Sequence, residues 1–274
     1  MLSVNTNTGA MAALQFLNKT QNDLTTTQSH INSGLKIANA KDNGAVYAIA
    51  QTMRGNVAGY SAVSDSLNRG ISTVDVAISA GQSISDLLNE LKGKALAAAD
   101  ASLDTASRNA LDADFTALRD QITTIVQNAS FNGTNLVDGT VANFQALASA
   151  DGTKKITAQG QTLALSGTIV TLTSTSTIAT QSQASTMVGT INSSIANVNA
   201  ALAKLASGVK KFQIQGEFVS KLVDTLNAGI GNLVDADMAV ESAKLQSLQV
   251  KQQLGVQALA IANSAPSITL SLFR

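Results

Sequence analysis

The side chains able to do chemistry in this sequence are few and stand far apart. His30 is the single imidazole and there is no cysteine, which leaves no thiolate nucleophile, no disulfide framework and no histidine set for a metal. His30 adjoins an apolar stripe and reads as a packing or surface residue. Asp112 and Asp114 come nearest to a carboxylate pair that could divide acid and base roles. Residues two apart on a helix face different ways, so both are read as part of a solvated face. Gly229-Ile230-Gly231 lacks the preceding strand that a nucleotide-binding turn needs and is better read as a helix break. No catalytic, cofactor-binding or metal-binding residue is assigned, and no cofactor is expected.

Charge offers no partner either. The 18 basic and 18 acidic side chains cancel, without a lysine- or arginine-rich run, so neither nucleic acid nor an anionic membrane surface is expected to bind. The start, MLSVNTNTGAMAALQF, has no basic flank ahead of an apolar core and does not read as a cleaved secretory signal. No apolar run approaches the roughly 18 residues of a membrane span. A hydrophobic fraction of 45% argues against wholesale disorder, yet only 13% of residues are charged. Solvated helix faces usually carry abundant Lys and Glu, so helices filled with Ser, Thr, Asn, Gln and Ala point to faces that meet other protein.

The elements that would carry those faces are written in heptads. Leu14, Leu17, Gln21, Leu24, Gln28, Ile31 and Leu35 fall at alternating steps of three and four. A second stripe runs from Val46 through Met53, Tyr60, Leu67, Val74 and Gly81 to Leu88, predicting a helix of about 45 residues, roughly 65 Å long. A turn near Ser102 to Thr105 precedes a third stripe, Leu111, Phe115, Leu118, Ile122 and Ile125. From 131 to 182 the turn pairs Asn132-Gly133, Asp138-Gly139, Asp151-Gly152 and Ser166-Gly167 separate KKITA, QTLAL and TIVTLTS, which predicts β-hairpin. Helix resumes at Val188 and runs to Leu233, with Gly229, Gly231 and Asn232 expected to loosen its end. A last stripe, Val234, Met238, Leu245, Leu248, Gln252 and Leu259, is expected to start behind an Asp235 cap. The fold class is mainly α: a long antiparallel helical bundle with a small β-hairpin insertion. Its two terminal helices have one apolar stripe each and little to cover it.

Between the first two stripes lies NSGLKIANAKDNGAVYAIA. This stretch resembles the N-terminal signature of bacterial flagellins, in Ser33, Gly34, Leu35, Lys36, Ile37, then Ala40, Lys41 and Asp42, then the alanine-rich segment after Gly44. Gly70-Ile71-Ser72, Phe131-Asn132-Gly133, VDADMAVESAKLQ from Val234 and LGVQALAIANSAPSITLSLFR from Leu254 match in the same order. The resemblance covers both ends and most of the chain, and no comparable match exists for the β insert.

What it implies is a minimal flagellin, lacking large outer domains, that polymerises into the flagellar filament for motility. Residues 1–42 with 234–274 would form the terminal coiled coil of the inner tube, 43–130 with 183–233 the helical rod of the outer tube, and 131–182 the rod's β insert. Self-assembly would rest on Leu14, Leu17, Leu24, Ile31 and Leu35 in the first helix, and on Met238, Leu245, Leu248, Leu254, Leu259, Ile261, Leu270 and Leu272 in the last. Ser33, Gly34, Lys41, Asp42 and Gly44, paired with Gly229 and Gly231, would make the connection between domains. The implied partners are other copies of the chain, the flagellar cap and junction proteins, and an export chaperone. Export would be by a type III route without a cleaved signal, to the extracellular filament. In the family a Toll-like receptor engages the stretch matching Leu88 to Ala98, where Lys92-Gly93-Lys94 replaces the arginine-glutamate-leucine core, so strong signalling is not expected. Two alternatives stand beside this reading. One is a hook-filament junction protein of related fold. The other is a surface glycan-binding homologue, which would need an aromatic platform where the insert past Phe131 offers only Phe144.

Overall fold

The computed structural model describes residues 6–271. Among them the chain forms α1 (Thr8–Ser33), α2 (Gly44–Ala98), α3 (Thr105–Asn128), α4 (Gln181–Val234) and α5 (Met238–Ser271), with four short strands between α3 and α4. Residues up to Gly55 and from Thr225 onward cluster as one compact unit, and Asn56–Asp224 as a second.

Local signals set the helix ends. The Asn7 side chain accepts from the Ala10 amide at 2.9 Å and caps α1. Gly34 ends that helix at φ 71°, a left-handed conformation that glycine adopts without a Cβ penalty, and its amide donates to the His30 carbonyl. The Asp104 side chain caps α3 by accepting from Ser107, and the Ser107 hydrogen bonds hold its carboxyl below the usual range. At α4, Thr180 and Gln183 form a reciprocal capping box, with Gln183 Oε1 accepting from the Thr180 amide at 3.1 Å and Thr180 Oγ1 from the Gln183 amide at 3.3 Å.

Helix boundaries differ from the sequence reading at four points, the simplest being that α4 begins at Gln181 and not at Val188. The second helix spans 55 residues, because its buried stripe continues past Leu88 as Leu91, Ala95 and Ala98. The fourth runs unbroken through Gly229, Gly231 and Asn232 to Val234. Helical bonding continues there, with the Asp235 amide donating to the Gly231 carbonyl at 2.8 Å. Gly229 serves close packing instead, since an added Cβ would lie 3.0 Å from Met53 Cε. Finally, the N-terminus of α5 is capped by Asp237, whose Oδ1 accepts from Ala239 and Val240, and not by Asp235.

The insert is less regular than a run of hairpins. β1 (Ser130–Phe131) pairs antiparallel with β2 (Thr134–Asn135) around Asn132 and Gly133, both at positive φ. β3 (Asn143–Leu147) pairs antiparallel with β4 (Lys155–Gln159), with Phe144 opposite Ala158. QTLAL and TIVTLTS form no strand. Their apolar residues Leu163, Val170 and Leu172 are instead buried in the core, held by single backbone bonds such as Leu163 N to the Val137 carbonyl at 2.7 Å. The β-rich composition therefore reports burial here more than ladder formation.

The Asn56–Asp224 unit closes its own core. Leu67, Ile84, Leu88, Phe115, Ile191 and Phe212 are fully buried. Heptad glycines let α2 approach the rest: a Cβ on Gly70 would meet Phe144 and Phe212 at 2.9 and 3.1 Å, and one on Gly81 would meet Leu202 at 2.7 Å. Phe144 stands edge-on to Phe212 with ring centroids 6.2 Å apart. The continuous buried cluster lies entirely within this unit.

Candidate assembly surface

In the other unit α1 and α5 pack as an antiparallel pair. Asn7 Nδ2 donates to the Ala262 carbonyl at 2.6 Å, Gln252 Nε2 to Gln21 Oε1 at 2.7 Å, and His30 Nδ1 lies 3.3 Å from Glu241 Oε1. As one residue number rises its partner's falls, which fixes the direction. Gly255 faces Leu17, where a Cβ would come to 3.2 Å of Leu17 Cδ1.

This seam is thin. Leu24 and Leu248 are buried at 6% exposure each, while Leu17, Ile31, Leu35, Leu245 and Leu259 are only half-buried. Leu14 at 47%, Met238 at 43%, Leu254 at 57% and Ile261 at 70% remain exposed. Leu272, and the side chain of Leu270, lie outside the described residues. Sequence periodicity overlooked Met11, Phe16, Val240, Val250 and Val256, which are exposed apolar residues off the heptad positions. The signal for them is that α5 carries apolar side chains on every side, a pattern usual for helices covered all round. Single exposed apolar residues need no explanation, but a continuous set marks an interaction surface.

A few polar side chains are enclosed within the pair. His30 and Glu241 form a half-buried pair, with Lys244 Nζ 3.8 Å from the other carboxylate oxygen. Thr27 Oγ1 is buried and finds no hydrogen-bond partner among the described residues. His30 therefore joins a helix-to-helix contact and has a carboxylate and an ammonium beside it.

The connection between α1 and α2 is ordered by its own side chains. Asp42 Oδ2 accepts from the Ala38 and Asn39 amides at 2.9 and 3.1 Å. The Lys41 amide donates to Asn39 Oδ1, and Ser33 Oγ donates to the Ser29 carbonyl. Gly44 opens α2. The strand-like partner of this segment is Val234 to Ala236: Lys36 N donates to the Val234 carbonyl at 2.8 Å and Ala236 N to the Gly34 carbonyl at 2.9 Å. This backbone pairing thus falls a few residues beyond Gly229 and Gly231, which stay helical.

The two carboxylates of α3 have separate tasks. Asp112 Oδ1 accepts from Thr177 Oγ1 and the Ile178 amide, both at 2.6 Å. It clamps the end of the insert and is not simply solvated, contrary to the sequence reading. Asp114 pairs with Lys94 at 2.6 Å. This geometry gives no shared proton site.

Comparison with known proteins matches both helical ends of the chain to one family. Residues 4–142 match the bacterial flagellin N-terminal helical region, and residues 188–273 the C-terminal helical region. The chain is 53% identical over 272 residues to flagellin FljK of Caulobacter vibrioides, covering 99% of this chain and 98% of that protein. It is 35% identical over 283 residues to a flagellin of Brucella melitensis, covering the whole of both. Among solved structures, a flagellar hook-associated protein from Vibrio parahaemolyticus aligns with TM-score 0.59 at 12% identity, over 71% of this chain and 100% of that one, a likeness of fold.

Proposed function

The chain belongs to the bacterial flagellin family, and we propose that the half-covered pair of α1 and α5 is the surface through which its copies polymerise. As a flagellin it is a structural subunit of the flagellar filament. The observation that carries the proposed surface is the exposure of Leu14, Phe16, Leu254 and Ile261 on helices with almost no core of their own. Neighbouring copies supply the missing cover, in a head-to-tail contact that does not close and so generates an open helical array.

In this reading residues 1–42 with 234–274 form the inner tube, 43–130 with 183–233 the outer rod, and 131–182 its insert. Cap and junction proteins meet the filament's ends, an export chaperone covers α5 before assembly, and a type III route carries the chain to the extracellular filament. The chain has no enzymatic role, in keeping with a structural family.

The junction-protein alternative is not favoured: flagellins match the whole chain at 53% identity, whereas the hook-associated likeness is at 12%. The glycan-binding alternative loses its one aromatic candidate, since Phe144 packs on Phe212. Incubating purified protein with filament seeds, followed by electron microscopy, tests the proposal. The intact chain should give long uniform fibres, and a chain lacking residues 255–274 should give none while keeping the circular dichroism of its folded bundle. Normal fibres from the truncated chain would overturn it.

A further inference from the structure

The Asn56–Asp224 unit carries two outward helix faces of opposite charge whose groups the fold does not use. From Gln181 to Gly216, α4 has only three charged residues, and all are lysines: Lys204, Lys210 and Lys211. They are exposed and form no ion pair among the described residues. Beside them the α4 surface continues at heptad steps into Ile214 and Phe218, 55% and 56% exposed, with the exposed Glu217 one heptad beyond Lys210. A groove of about 480 Å³ between α4 and β4 is lined by Thr157, Gln159, Lys204, Ser207 and Lys211. On α2, the outward positions between Ser61 and Leu91 carry Asp65, Asp75, Asp86 and Glu90 against one cation, Arg69. These carboxylates are likewise exposed and without an ion pair among the described residues. Between them stand Ser72, Ser79 and Ser83, small enough for another helix to come close.

We infer that the lysine face of α4 docks on the acidic face of α2 from a second copy of this chain. The inference rests on the reading of the chain as a filament subunit. Three features support that occupant. The charges are complementary, three lysines with Glu217 beyond them against four carboxylates with Arg69 among them. Both faces are heptad stripes, so two helices can run along one another. Every copy owns both faces on one compact unit, so the contact can repeat from copy to copy. Within a chain α2 and α4 run antiparallel, as Gly70 opposite Phe212 and Gly81 opposite Leu202 require. Copies lying side by side with one polarity therefore present the second chain's α2 antiparallel to this α4, the same sense of pairing. Such electrostatic complementarity mainly fixes register and rejects wrong partners.

Charge reversal in the full-length chain tests this. K204E/K211E and D75K/D86K should each raise the critical concentration for seeded polymerisation about tenfold or more at low salt, because they place like charges across the contact. The chain carrying all four substitutions should return to within about threefold of the parent, and added sodium chloride should narrow every difference by screening. A second readout needs no variant. In filaments grown from mixed light and heavy-nitrogen protein, zero-length carbodiimide coupling should join the α4 lysines of one chain to Asp65, Asp75 or Asp86 of another. Filaments that form normally in all variants, or that yield no such interchain linkage, would overturn the inference and leave the filament reading standing. A parent chain that makes no filament would defeat that reading itself.

Discussion

Replacing Leu254 and Ile261 together by glutamine separates assembly from folding. Both lie on α5, 57% and 70% exposed, and glutamine is a helix former nearly as good as leucine. Fully burying such a side chain is worth about 1.5–3 kcal/mol. More than half of each side chain is still uncovered, so roughly 1–2 kcal/mol per residue is left for a neighbouring copy to realise. The double variant should therefore lose about 2–4 kcal/mol per subunit on polymerisation, which raises the critical concentration roughly thirtyfold to several hundredfold. The helicity and thermal transition of the unpolymerised protein should barely change. Leu248→Ala is the counterpart: at 6% exposure it is already covered by the chain itself, so its truncation should loosen the α1–α5 pair in the free protein as well as in polymer. Sedimentation over a concentration series gives the critical concentration, and circular dichroism gives the fold. The reasoning fails if the double glutamine variant polymerises at the parental concentration, or if its deficit is matched by lost helix in the free chain.

Asp112→Ala removes the acceptor of two hydrogen bonds and leaves the buried end of the insert unpaired. It should destabilise the bundle by about 1–3 kcal/mol, with faster hydrogen exchange at the Ile178 amide as the local readout. Gly70→Ala forces a methyl against Phe144 and Phe212 and should cost about 1–3 kcal/mol in denaturant unfolding; an unchanged midpoint would mean the rings have room to move. The carboxyls of Asp100, Asp104 and Asp151 all lie below the usual range, each held there chiefly by hydrogen bonds: from Ser102, from Ser107, and from Ser149 with Thr153. A depressed carboxylate contributes stability that is present above its unfolded pKa and is lost as pH falls through the folded one. Acid below the ordinary carboxylate range should thus loosen the α2–α3 turn, the start of α3 and the β3–β4 turn. Asp104→Ala should flatten the acid dependence of exchange in the first turn of α3. Limited proteolysis should cut α1 and α5 in free protein and spare them in polymer, whereas equal resistance in both states would contradict a seam completed by neighbours.

The helices were legible because a three-and-four apolar spacing survives in the sequence wherever one face is buried. Their ends were less so. The stripe of α2 continues in alanine after Leu91, and alanine is too common on exposed faces to be counted as core from sequence alone. Gly229 and Gly231 read as a break because glycine weakens helices, yet Gly229 is there to admit Met53. Close approach and chain reversal leave the same letter in the sequence. The insert was overread in strands for a related reason: Leu163, Val170 and Leu172 are buried by irregular backbone, and β-branched composition does not distinguish a ladder from a covered loop. Around the α1–α5 pair, the heptad positions pick out the residues that line it but not Phe16 or Val256, which stay exposed and leave no mark in the chain's own periodicity.

The sparse charge of the terminal helices follows from the same division. Between Thr8 and Ser33 the only lysine, arginine, aspartate or glutamate residues are Lys19 and Asp23. A helix meant for water would gain solubility from more, and each additional one would need a partner if other copies closed over it as proposed. Burying a charge costs several kcal/mol unless it is paired, whereas Gln21 and Gln252 bond across the pair neutrally at 2.7 Å. Glutamine, asparagine and threonine can exchange bonds with water before assembly and with protein after it. Charge is only somewhat denser on the self-contained Asn56–Asp224 unit, with 24 charged residues in 169 against 12 in the other 105, and that unit's folding does not require those faces to be buried. On the proposed assembly, ends that are tolerated alone and then enclosed by other copies would thus be kept sparse in charge.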